Sequence, residues 1–399
     1  MDVTLVLTHD CNLGCGYCYA GAKFNRRMSP EIARRCVDLA FSDEPERLQL
    51  SFFGGEPLLS WKQLVRTARS ARERAERTGA ELKMSVTTNG TLLTDDRART
   101  LDELGVYVGL SVDGVREAHD AGRPKMGGGS SFDDVERGLS VLLRRGTSFE
   151  TISVVTPTNV RWLGDSVRWL LELGVPRMAI NPCYEAYFSD EELELWTAGL
   201  KEAADAMIAC FQRGRLVSMP VFDNKILAAL KGGLATEDTC SLGDRSIAVA
   251  PGGNVYPCER MVAEDEDPAF RMGHIVDGWA PLGPRCERGP VNDECVDCGE
   301  RWRCTSHCAC ANFAETGETN LAGGTQCWHE RQTAELADHV AGTLWAEQNA
   351  LFIAWFYGRM TAGQELSTHA PSDRAERAVK AVPRKPASTA RRRLRVVSR

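Results

Sequence analysis

Residues 8–21 read THDCNLGCGYCYAG and follow a short apolar run, VTLVL, almost at the start of the chain. Three cysteines, Cys11, Cys15 and Cys18, crowd into eight positions. A structural zinc site takes four ligands, a disulfide two and a catalytic thiol one. A tight group of three therefore points to a metal centre with one coordination position left open.

Outward from the triplet, short β-branched runs alternate with amphipathic helical patterns up to about residue 185. Strands are predicted at VTLVL (3–7), LQLSFF (48–53), LKMSVTT (82–88), VYVGLSV (106–112), TISVVT (151–156) and RMAIN (177–181). The helix signals between them are SPEIARRCVDLAF, with Ser29 as N-cap and Pro30 in the first turn, then LSWKQLVRTARSARERAERTG, TDDRARTLDELG, FDDVERGLSVLLRRG and VRWLGDSVRWLLELG. Gly79, Gly105, Gly146 and Gly174 stand where left-handed C-caps belong. Six βα repeats with buried-type strands predict a parallel sheet with helices outside, either a partial barrel or a doubly wound sheet. In both, the carboxyl ends of the strands carry the chemistry. The triplet follows strand one, FFGGEP ends strand two, TTNG strand three and SVDG strand four, so all four motifs fall on one edge.

The chain has 399 residues and 43% hydrophobic content, enough for one large domain and a smaller one. A formal charge of −7 gives no reason to expect nucleic acid or an anionic membrane as partner. The first residues lack the basic region and apolar length of a signal peptide, and no uncharged stretch is long enough to span a bilayer, so a cytoplasmic protein is expected. In a reducing compartment fifteen cysteines predict metal binding rather than disulfides.

Beyond a helical stretch from Ser189 to about Gly232, residues 240–327 hold nine of the fifteen cysteines with little periodicity, which predicts a small domain organised by metal rather than by a hydrophobic core. A last helical stretch runs from about Trp328 to Met360. The remainder is a Pro, Ala and Arg rich tail, predicted to be disordered, with ten basic residues between Arg374 and Arg399 against the single Glu376.

The CxxxCxxC spacing, with Tyr17 before the last cysteine, resembles the radical S-adenosylmethionine (SAM) superfamily. The resemblance implies a partial (β/α)6 TIM-type barrel in which Cys11, Cys15 and Cys18 hold three irons of a [4Fe-4S] cluster. The fourth iron chelates SAM, which on reduction yields a 5′-deoxyadenosyl radical. Gly54, Gly55, Glu56 and Pro57 look like the family's GGEP motif, whose strand-end backbone and Glu accept hydrogen bonds from the SAM ammonium group. Ser111, Asp113 and Arg123 resemble its ribose and carboxylate contacts, an arginine fork suiting a carboxylate. Asn89 adds a polar contact, and Tyr17 presents its backbone to the adenine. GGEP or SVDG alone would be an ordinary turn; it is their joint order that carries the resemblance.

The later cysteines, with CVDCGERWRCTSHC at residues 295–308, resemble the SPASM extension of peptide-maturing members. That likeness implies two auxiliary [4Fe-4S] clusters, three in all: an outer one on Cys295, Cys298, Cys304 and Cys327, and an inner one on Cys240, Cys258 and Cys308. Some members supply a fourth inner ligand shortly after the first cysteine, but residues 241–257 contain none. An open iron, Cys286 and Cys310 remain as alternatives. Cys36 and Cys210 read as core residues and Cys183 as background. The expected organisation is a radical SAM partial barrel with helical linker over 1–232, a SPASM domain over 233–330, a C-terminal helix over 331–362 and the basic tail over 363–399.

The implied function is a peptide maturase that abstracts a hydrogen from a ribosomally made precursor and installs a thioether or carbon-carbon cross-link. The alternative is an anaerobic sulfatase-type maturase forming formylglycine. That branch uses an Asp next to the inner-cluster cysteine, where YPCER here places Glu259, a candidate base. Expected partners are the precursor peptide, a flavodoxin- or ferredoxin-type electron donor and, because strand one begins at once, either a separate leader-recognition protein or a feature outside the barrel that captures the precursor. Two other classes compete: a non-catalytic zinc protein, since CxxC pairs are also zinc-ribbon material, and a pure electron-transfer protein.

Overall fold

A computed structural model describes residues 1–266, 268–280 and 292–361. Cys286 and the basic tail lie outside the described residues.

Six strands, β1 (Asp2–Val6), β2 (Arg47–Phe53), β3 (Glu81–Thr88), β4 (Val106–Ser111), β5 (Phe149–Val155) and β6 (Met178–Pro182), pair in parallel and in chain order. A doubly wound sheet would reverse its strand order partway. Here the order never reverses, so the architecture is a partial barrel. Helices α1 (Pro30–Ala40), α2 (Trp61–Thr78), α3 (Asp95–Glu103), α4 (Arg116–Gly122), α5 (Phe132–Arg145) and α6 (Leu163–Leu173) form the crossovers. Ser29 caps α1 by accepting from the Ile32 N–H, and Gly79, Gly105, Gly146 and Gly174 all take positive φ. The short α4 was not foreseen: it spans only 7 residues, too few to show a helical period.

The expectation of buried-type strands needs correction. Strands β2, β3 and β5 alternate buried with half-buried residues. One face, with Leu48, Leu50, Phe52, Met84 and Val86, packs into the core. The other carries Gln49, Ser51, Ser85 and Thr87, with the Ser51 and Ser85 hydroxyls 3.0 Å apart. Helices cover only the outer face, so the inner face stays polar and partly open.

The chain continues through α7 (Asp190–Gln212) and α8 (Pro220–Lys231) into short strands β7 (Ser246–Val249), β8 (Asn254–Tyr256), β9 (Gly273–His274) and β10 (Gly278–Trp279). These strands are not separate from the barrel. β7 pairs parallel to β1, with Leu5 opposite Val249, and one ten-stranded sheet runs β10-β9-β8-β7-β1-β2-β3-β4-β5-β6. Ile247, Val249 and Val255 enter the main core, while Ala248, Tyr256, Met261, Val262 and Phe270 form a second small one. The cysteine-rich segment therefore has hydrophobic anchoring as well as its thiols. At the other edge, Ser218 pairs with the backbone beside β6, accepting from Met178 N–H and donating to the Pro176 carbonyl.

Helices α9 (Asp293–Val296), α10 (Ala309–Thr316), α11 (Gly324–Ala346) and α12 (Ala350–Thr361) complete the described chain; the single terminal helix expected from the sequence is broken at residues 347–349. No helix among the described residues is long and apolar enough to cross a membrane. A buried ion pair ties these parts together. Lys225 of α8 meets Glu330 of α11 and also donates to the Arg303 carbonyl at 2.9 Å. Glu330 in turn accepts from the Thr305 N–H and hydroxyl, each at 2.6 Å. Both charged side chains are only 6% exposed.

Burial alone would raise the Glu330 pKa, but the Lys225 ammonium and the Thr305 donors outweigh it and hold the carboxyl below its ordinary 4.5. A folded pKa below the unfolded one contributes stability above the unfolded value, which is lost as pH falls through the folded one. Glu330→Gln, which leaves the Lys225 charge buried without its counter-ion, is expected to cost about 3–5 kcal/mol in urea unfolding at pH 7. It should also flatten the fall of stability expected of the parent as pH drops below 4.5.

Candidate functional site

The triplet sits on an excursion, residues 8–28, that leaves β1 and returns beside it. Met28 N–H donates to Leu7 O at 2.9 Å and His9 N–H to Arg26 O at 3.1 Å. The loop is strapped to the neighbouring strand ends. Gly14 N–H donates to Pro124 O at 2.8 Å and Gly16 N–H to Gly122 O at 3.1 Å. Gly55 N–H donates to Thr8 O and Glu56 N–H to Asp10 O, both at 2.8 Å. A Cβ on Gly55 would overlap the Asp10 carbonyl, so the close approach of GGEP to the cysteine loop requires glycine there.

Glu56 does not sit as the sequence suggested. It is 0% exposed, and its carboxylate accepts from Leu58 N–H (2.9 Å), the Thr88 hydroxyl (2.7 Å) and Asn89 N–H (2.8 Å). Burial is the largest influence on it and raises its pKa. Its bonds are internal: it locks the end of β3 to the GGEP turn, which Pro57 continues as a 3-10 turn over Pro57–Ser60. What remains for a ligand is the strand-end backbone. Asn89 likewise braces the loop, donating to Asn12 Oδ1 at 2.9 Å and lying 3.8 Å from Cys11 Sγ.

Ser111 ends β4, half-buried. Asp113 beyond it is buried and accepts from the Tyr17 hydroxyl (2.5 Å), Arg123 Nη2 (3.1 Å) and Val154 N–H (3.0 Å). The carboxylate foreseen as a cofactor contact is thus committed to protein partners. The Tyr17 ring lies under the Arg123 guanidinium at 5.3 Å and against Gly122, where a Cβ would come within 2.6 Å of Cε1. His119 supports the same corner, accepting from Asp113 N–H at 3.5 Å and contacting the Ser131 hydroxyl at 3.0 Å.

These residues fit a cluster with an anionic ligand beside it. Arg123 is 6% exposed, neighbours Cys15, and its Nε is buried without a hydrogen-bond partner. That orphan donor suits a carboxylate. Burial holds the Cys11 thiol up, to about 12, and raises Cys15, so loading must displace protons. Among the described residues no three His, Cys, Asp or Glu side chains converge on one ion's position. A polynuclear cluster binds each thiolate through a different iron and does not need that convergence.

Of the later cysteines, the structure gathers Cys295, Cys298 and Cys327 as neighbours, while Cys304 has Glu330 and Lys225 near it. It also gathers Cys258, Cys308 and Cys310, with Cys240 packed on the same small core. Three residues absent from the sequence reading link the first group to this one. Tyr19, half-buried, neighbours both Cys18 and Cys258 and stacks on Phe53 at 6.1 Å. Arg260 lies over its ring at 4.5 Å and is ion-paired with Glu185, whose other oxygen is 3.6 Å from Cys183 Sγ. Glu259 stands beside Tyr19 and 3.6 Å from Cys258 Sγ. Lys23 Nζ, also unforeseen, is 2.9 Å from Cys18 Sγ. No local pattern marks these residues, whose partners lie far off in sequence.

Residues 5–170 match the family model of the radical SAM superfamily, so this part of the chain is a radical SAM domain, a family whose cofactors are a [4Fe-4S] cluster and SAM. A cysteine-type anaerobic sulfatase-maturating enzyme of Clostridium perfringens (strain 13) is 25% identical over 284 residues, covering 67% of this chain and 75% of that one. A serine-type enzyme of the same name from Bacteroides thetaiotaomicron is 28% identical over 350 residues, covering 77% and 82%. Among solved structures, anSMEcpe with bound AdoMet superposes with TM-score 0.71 at 21% identity, covering 87% of this chain and 98% of that one. Streptococcus suis SuiB bound to its precursor peptide SuiA gives 0.56 at 15%, covering 81% and 75%. The two superpositions show a shared fold.

Gly55→Ala is expected to push the GGEP turn off the Asp10 carbonyl, costing about 1–3 kcal/mol. Iron analysis after anaerobic reconstitution should show loss at the first site with the later sites still loaded.

Proposed function

We propose that the chain is a maturase of the sulfatase-maturating kind, oxidising a cysteine or serine side chain of a peptide or protein substrate. The observation that carries this reading is Glu259, a carboxylate held beside Cys258 and Tyr19, between the first cysteine group and the later ones. The two sequence relatives of that name, each matching over most of its length, support it.

In this reading the barrel spans 1–232 and the auxiliary domain 233–330. Cys11, Cys15 and Cys18 hold the first cluster, Cys295, Cys298, Cys304 and Cys327 the outer auxiliary one, and Cys240, Cys258 and Cys308 the inner. The bound cofactors would supply one-electron hydrogen abstraction from the substrate carbon and, at an auxiliary cluster, an acceptor for the electron left behind. The protein's own groups do the rest. Arg123 orients the ligand carboxylate while Asp113 fixes the guanidinium. Ser111 meets the ribose and the backbone of Tyr17 the adenine. Glu56, through Asn89 and the turn it caps, aims the strand-end carbonyls of Gly54 and Gly55 at the ligand's ammonium group. Glu259 takes the proton of the substrate thiol or hydroxyl, and Arg260 with Glu185 walls the space between the two metal sites.

The test is anaerobic incubation of the reconstituted chain with dithionite, SAM and a cysteine-containing peptide, read out as 5′-deoxyadenosine and as aldehyde captured by an aminooxy probe. Both are expected. Glu259→Gln should lower aldehyde formation at least about 10²-fold while deoxyadenosine release persists. A thioether or carbon-carbon cross-link without aldehyde would replace this reading by cross-linking, and no deoxyadenosine would reject both.

A further inference from the structure

We propose that Cys310 is the fourth protein ligand of the inner auxiliary site, so that Cys240, Cys258, Cys308 and Cys310 close it against direct coordination by substrate. The inference rests on the reading of Cys240, Cys258 and Cys308 as cluster ligands, and settles what completes them.

Residues 241–257 offer no cysteine, so a fourth donor must come from another part of the fold. Cys258 follows β8 in extended conformation. Cys308 is the N-cap of α10 and Cys310 lies in its first turn. This helix start delivers both side chains to the same place: Cys308 Sγ and Cys310 Sγ are 3.5 Å apart, and Cys310 is hydrogen-bonded to Cys258. Cys240, Cys258 and Cys310 all pack against the small apolar cluster that includes Leu242, Met261 and Phe270. Core cysteines of this chain look different. Cys36 and Cys210 are each 0% exposed, on helices buried among aliphatic side chains of the main core.

The start of α10, an eight-residue helix, presents Cys308 and Cys310 side by side, and the Arg260 guanidinium lies near both. Each sulfur would take its own iron. Four thiolates on four irons leave no vacant position. A substrate atom is then held by protein groups such as Glu259 and Arg260.

The test uses the full chain carrying Cys11→Ala, Cys15→Ala and Cys18→Ala, so that only auxiliary sites load on anaerobic reconstitution, to about eight irons per chain. Mössbauer and electron paramagnetic resonance spectra are recorded with and without excess imidazole. The parent spectra should not respond to imidazole. Adding Cys310→Ala should remove between about one and four irons, or leave an inner signal that shifts with imidazole. Cys310→Ser, which keeps an oxygen donor at that position, should retain iron with an altered spectrum. The proposal is overturned if the parent inner signal shifts with imidazole, or if Cys310→Ala leaves iron and spectrum unchanged while Cys286→Ala alters them. Zinc, or no iron and sulfide, in the parent would instead refute the cluster reading on which the proposal stands.

Discussion

One buried carboxylate, Asp113, holds the first site in shape. Its two oxygens accept from a phenol in the cysteine loop, a guanidinium just past α4 and a backbone N–H on β5. Buried at this depth, the Arg123 charge would be costly without its counter-ion, and Asp113 would be equally costly without Arg123. Each makes the other tolerable, and Tyr17 closes the set. The loop that presents Cys15 and Cys18 is thereby fixed relative to β4 and β5, strands it does not pair with. Glu56 does the same on the opposite side, joining the GGEP turn to the start of the Asn89 loop.

Much of this was legible in the sequence. The six strands fall within two residues of their expected ends, because β-branched runs bounded by glycine caps leave little freedom. Ser29, Gly79 and Gly146 mark helix ends by local chemistry that needs no tertiary information. The triplet declared itself because three thiols in one loop have few physical uses. What stayed hidden has partners distant in the chain. Nothing near Glu56 says that Thr88 and Asn89 will consume its oxygens, and nothing near Asp113 says that Tyr17, 96 positions away, will donate to it. The pairing of β7 with β1 was equally invisible: four residues, SIAV, carry too short a pattern to announce a strand.

The polar inner face and the commitment of Asp113 and Glu56 to the scaffold share a physical logic. A site that must hold a charged ligand in a half-open space needs its donors and acceptors fixed beforehand, since each movable group adds an ordering cost on binding. Here carboxylates that look like ligand contacts serve as struts. The groups proposed for contact are backbone carbonyls, the Ser111 hydroxyl and one guanidinium that Asp113 already fixes, so little freedom is left to lose.

The junction of β7 with β1 also has a bearing on how the chain comes to be folded as it is made. Asp2 finds its partner Ser246 only after 244 further residues have been synthesised. At ribosomal speeds of about 5–20 residues per second, one flank of the first strand waits roughly 12–50 s with its hydrogen-bonding groups bare. During that interval the barrel can assemble from β1 through β6 in order, each strand adding to the last, but its leading edge remains sticky. The cysteine-rich segment, whatever its thiols come to hold, is then also the piece that seals the nascent sheet.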